Sequence, residues 1–131
     1  MTVPPQEARH WFRLTQAAQE EVEAVLDALP RAVRERMAEL PITFDPKPNA
    51  AMVASGIDPD RTLGLFTGVS FARAVAVSQR LPPQIILFLD NLLAYVRGDL
   101  PEFRVQVRRT LLHEIGHFLG LDEDEVDLRG L

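Results

Sequence analysis

The sequence predicts an α+β domain in which a small mixed sheet packs against helices, one of them long. Three features carry this expectation. Apolar residues recur at helical spacing near both ends of the chain. The middle holds short apolar runs bounded by proline and glycine. The order is helices, then strands, then helix, without the regular strand–helix alternation of a wound parallel sheet. At 131 residues the chain is expected to form a single domain, 1–131, long enough to bury most of its apolar surface.

From about His10 to Leu29, Trp11, Leu14, Ala18, Val22, Val25, Leu26 and Leu29 form one helical stripe, with Glu20, Glu21 and Glu23 largely opposite. Pro30 interrupts it and, as a first-turn proline, opens a second helix from Arg31 to Leu40, which Pro41 ends. "ITF" at 42–44 reads as a short strand. Residues 46–62 read as loop, with turn signals in "SGIDPDR". "LGLFTGVSF", Leu63 to Phe71, reads as a strand interrupted by Gly68, and 72–81 suits either helix or extended chain. The apolar run "IILFL" behind two prolines is the clearest strand, and its side chains are expected in the core. A short helix follows from Asp90 to Arg97, ended by Gly98. Asp99 then caps a long helix with Pro101 in its first turn. That helix runs to about Leu119 on the stripe Phe103, Val107, Leu111, Ile115 and Phe118, with Gly120 as its stop.

Composition excludes several functions. The formal charge of −5, with no basic run, argues against nucleic-acid binding. The apolar stretches are too short to span a bilayer, and the amino terminus lacks the basic and apolar regions of a signal peptide, so a cytoplasmic protein with no membrane association is expected. There is no cysteine, which leaves histidine and carboxylate as the only strong ligands for a transition metal. The sequence carries no indication of oligomeric state.

The chemistry concentrates in "TLLHEIGHFLGLDEDE", residues 110–125. On a helix of 3.6 residues per turn, positions four apart lie about 40° apart around the axis, so His113 and His117 project from one face. Glu114 occupies the adjacent line. This is the H-E-x-x-H arrangement, in which two imidazoles hold zinc and the glutamate takes a proton from the water that the metal acidifies. A catalytic zinc needs a third protein ligand. Gly120 lets the chain turn back, and Glu123 follows three residues later, with Asp122 and Asp124 as alternatives. Four carboxylates beyond a helix C-terminus face its negative end, which a dication would offset. A capping box from Asp122 to Glu125 opening a further turn would offset it too.

"HEIGHFLGLDE" resembles the zincin metallopeptidase motif H-E-x-x-H-x-x-G-x-x-H/D, with Glu123 in its last position. Metzincins carry a methionine after the motif, whereas Met1, Met37 and Met52 all precede it. Gluzincins place the third ligand well downstream, but only 14 residues follow His117. The chain closely resembles the minimal zincin family of small bacterial metallopeptidases. The likeness extends through "VLDALPRAVRERMAELPITF", "LGLFTGVSF" and "IILF" to "VRRTLLHEIGHFLGLDEDEV". It implies a minimal zincin-like fold with a long active-site helix, one zinc per chain held by His113, His117 and Glu123, and Glu114 as general base. Family members commonly carry aspartate where this chain has Glu123. The implied activity is zinc-dependent hydrolysis of peptide bonds in a peptide or protein substrate. A non-catalytic module that keeps zinc for stability or partner recognition is the alternative. Tyr95, Arg108 and Arg109 are weaker candidates for a catalytic role.

Overall fold

A computed structural model describes residues 6–68 and 83–121. Its elements run α1 (Gln6–Ala28), α2 (Arg31–Arg36), β1 (Ile42–Asp45), α3 (Ala50–Ala54), β2 (Gly64–Thr67), β3 (Gln84–Phe88), α4 (Leu89–Tyr95) and α5 (Leu100–Phe118). The sheet order is β1-β3-β2, with β1 parallel and β2 antiparallel to the central β3. Helices plus a small mixed sheet give the α+β class expected of the sequence.

Several boundaries differ from the sequence expectation, each for a local reason. Helix α1 begins four residues before the expected start at His10, because Gln6, Glu7, Ala8 and Arg9 are compatible with helix and are exposed. Pro30 is the N-cap of α2, with extended backbone (φ −54°, ψ 144°), and not its first helical residue. That helix closes at Arg36, where the Met37 amide turns back on the Val33 and Arg34 carbonyls. Inside the expected loop 46–62 lies α3. Its start is capped by Asn49, whose Oδ1 accepts the Met52 N–H at 2.8 Å, and Gly56 ends it at φ 104°. Helix α4 closes before Arg97, which itself takes the left-handed conformation (φ 56°) expected of a glycine. The sequence strand from Leu63 to Phe71 is realised as β2, with Gly68 at φ 103° after it. Residues 69–82, including the ambiguous stretch, lie outside the described residues.

The core is built on α5. Phe103, Val107 and Leu111 are fully buried, Ile115 and Phe118 nearly so, and they meet Leu14, Ala18, Val22 and Val25 of α1 in one cluster. Helix α5 also packs against β2, β3 and α4. On β3, Ile85 and Leu87 face this cluster, while Ile86 and Phe88 point to the opposite face and are buried too. A strand buried on both faces reads as a continuous apolar run, as "IILF" does. Ion pairs tie the outer sides of α1 and α5: Arg104 to Glu20 at 2.9 Å, and Arg108 to Glu21 at 3.0 Å. Among the described residues no helix is long and apolar enough to cross a membrane.

Candidate metal centre

Helix α5 is set at both ends. Asp99 caps its start, where Oδ1 accepts the Glu102 N–H at 3.1 Å, and Pro101 sits in the first turn. At the other end Gly120 adopts φ 91°, its N–H bonded to the His117 carbonyl at 2.9 Å and the Leu121 N–H to the Gly116 carbonyl at 3.0 Å. That double closure is a Schellman motif. It stops the helix at Phe118, one residue beyond His117, and turns the chain at Gly120.

With the apolar stripe committed to the core, the two histidines fall on its flank. Both are half-buried, their ring centroids 4.9 Å apart in an edge-to-face arrangement at 82°. Glu114 lies between them in sequence and is buried, with 8% of its surface exposed. One ligand atom from each of His113, Glu114 and His117 falls within 4.8 Å of the others. The helix C-terminus adds partial negative charge, which favours a cation at this place. Two imidazoles and a carboxylate, without sulfur, are a donor set that suits zinc.

Strand β2 completes the described part of the site. The Phe88 N–H bonds to the Leu63 carbonyl at 2.9 Å, which marks Leu63 and Phe88 as a hydrogen-bonded pair of the antiparallel ladder. Two residues on, Leu65 repeats that inward orientation, so Gly64 and Phe66 direct their backbone groups away from β3. The outward Phe66 N–H donates to Glu114 Oε1 at 2.9 Å. Gly64 and the Phe66 side chain face the α5 side of the sheet, as their partners Leu87 and Ile85 do. The Phe66 ring there meets Phe118 edge-on at 5.7 Å. A β-carbon on Gly64 would stand 2.6 Å from Thr110 Cγ2 and 3.4 Å from Glu114 Cγ, so glycine is what lets the strand approach the helix this closely.

His113 and His117 share one face with Glu114, while Glu123 and its alternatives Asp122 and Asp124 lie outside the described residues. Arg108 is engaged with Glu21 of α1. Arg109 is exposed, as is Tyr95 near the end of α4. Three contributors were not read from the sequence. The Phe66 amide leaves no trace in residue type. Gly64 does, since a glycine inside a strand signals close approach of another element. Asn91, buried between Leu89 and Leu92, holds the turn before β2 through Nδ2 bonds of 2.9 Å to the Pro59 and Thr62 carbonyls.

The model of the zincin-like metallopeptidase family matches residues 37–131. The chain belongs to that family, and the match spans the whole sheet and the histidine helix. The family implies a zinc-dependent peptidase. A comparison with curated proteins found no match.

Proposed function

We propose that the chain is a peptidase in which His113, His117 and Glu123 hold one zinc and Glu114 serves as general base. The observation that carries this reading is the placement of Glu114. A purely structural zinc site has no need of a buried carboxylate fixed between two imidazole ligands by a backbone amide. When bound, zinc supplies Lewis acidity, polarising a substrate carbonyl and lowering the pKa of a water. Glu114 takes the proton of that water and delivers it to the departing amine. Its Phe66 bond holds the carboxylate in place for both transfers. The outward backbone groups of β2 other than the Phe66 N–H, which Glu114 already engages, lie at a sheet edge among the described residues and suit an extended peptide laid alongside the helix.

The test is metal content of the untagged protein and its variants, followed by hydrolysis of a peptide library. One zinc per chain is expected in the wild type, lost in His113→Ala and His117→Ala and weakened in Glu123→Ala. Glu114→Gln should retain zinc and lose about 10²–10⁴-fold in hydrolysis. No zinc uptake by the wild type would overturn the proposal. Zinc bound without hydrolysis would favour the binding-module alternative.

A further inference from the structure

We propose that Asn91 is a positioning residue for the metal centre: it fixes the turn that leads into β2, and β2 in turn presents the Phe66 amide that holds Glu114. The functional meaning rests on the general-base reading of Glu114, whereas the chain of contacts does not.

Asn91 sits on α4, directly behind the central strand, and is 1% exposed. Its two Nδ2 protons are divided between the Pro59 and Thr62 carbonyls, which lie 32 and 29 residues away in sequence. Its Oδ1 finds no partner among the described residues. A buried amide with an orphaned acceptor is a poor substitute for an apolar residue such as the buried Leu89 and Leu92 of the same helix, unless its donors are needed. What they hold is the segment immediately before β2. From Thr62 the chain passes to Leu63, bonded to Phe88, then to Gly64, close against Thr110, and then to Phe66. The segment is thereby held by side chains at two places, by Asn91 just before β2 and by Glu114 at Phe66. Loosening the entry lets the strand shift along or away from α5, and the outward-facing Phe66 bond is the one with least support from the ladder.

The experiment is amide hydrogen exchange on the zinc-free protein, comparing wild type with Asn91→Leu, which keeps the branching at Cγ, is somewhat larger, and removes the donors. Exchange at Phe66 N–H is expected to speed up about tenfold or more, the scale of one lost hydrogen bond, while Leu111 N–H in the core of α5 is unchanged. Glu114→Ala should accelerate the same Phe66 amide, and Glu114→Gln, which retains an acceptor, should restore most of its protection. With zinc added and a peptide substrate, Asn91→Leu should lower kcat with little change in KM. Unchanged exchange at Phe66 in Asn91→Leu, or equal acceleration at Phe66 and Leu111, overturns the proposal. If Asn91→Leu does not fold, Asn91→Ser, with a single donor, should give an intermediate acceleration at Phe66, and an unchanged rate there overturns it equally. Failure of the wild type to hydrolyse any peptide would count against the peptidase reading and leave the exchange result standing.

Discussion

A methyl group added at Gly64 would stand 2.6 Å from Thr110 Cγ2 and 3.2 Å from Leu87 Cδ2, closer than packed carbon atoms allow. Gly64→Ala must therefore move β2, Thr110 or both. Overpacking of this kind costs about 1–3 kcal/mol, to be read from urea unfolding. Smaller partners should relieve it, so Thr110→Ser in the Gly64→Ala background is expected to recover part of the loss. Arg97 presents the opposite case. It occupies a left-handed position (φ 56°) where a side chain costs about 1–2 kcal/mol. Arg97→Gly should accordingly stabilise the protein by about 0.5–1 kcal/mol, once the greater freedom of glycine in the unfolded chain is set against that relief. Its Tm would rise, with no change in zinc binding.

At the scale of elements, the parts legible in the sequence are those where several local signals agree. Helix α5 has a capping aspartate, an early proline, a buried stripe and a left-handed glycine, and all four were read in place. Asp99→Ala should cost about 1 kcal/mol by loss of the cap, measurable as a lowered urea midpoint at constant m. Helix α3 escaped because five residues are too few to show periodicity, although Asn49 and Gly56 bracket it as cap and stop. The histidines and Glu114 were legible because helical geometry converts a spacing of four into a shared face. The grip of β2 on that face was not, since a backbone amide is common to nearly every residue and its pairing depends on a strand 48 positions away. The turn before β2 has its own pH signature. Backbone N–H bonds from Asp60 and Arg61 hold the Asp58 carboxyl below its ordinary value of 3.8. A lowered folded-state pKa means the turn's contribution is present above that value and is lost as pH falls through the lower one. Exchange at the Asp60 amide, corrected for its intrinsic pH dependence, should accelerate in that acid range and stay level from there to neutrality.

Across the whole molecule, α1 and α5 are joined by an apolar seam and by a charged edge. Glu21, with 13% of its side chain exposed, accepts both Arg108 at 3.0 Å and Arg104 at 3.6 Å, and Arg104 also reaches Glu20 at 2.9 Å. Each arginine is partly exposed, so its removal alone should cost only about 0.2–1 kcal/mol, less at high salt. Replacing both is expected to cost more than the sum, because Glu21 would then keep its shelter and lose both of those cations. A double-mutant cycle in urea measures that coupling.

The same pairing of α1 with α5 carries a cost during synthesis. The Glu20–Arg104 and Glu21–Arg108 bonds close loops of 84 and 87 residues. A ribosome adding about 5–20 residues per second needs roughly 4–17 s to make the second half of that interface after the first. Throughout that interval Leu14, Ala18, Val22 and Val25 are an apolar stripe without their partner helix. The stripe stays open to other apolar surfaces for that time, and the histidine face takes shape only once α5 arrives to cover it.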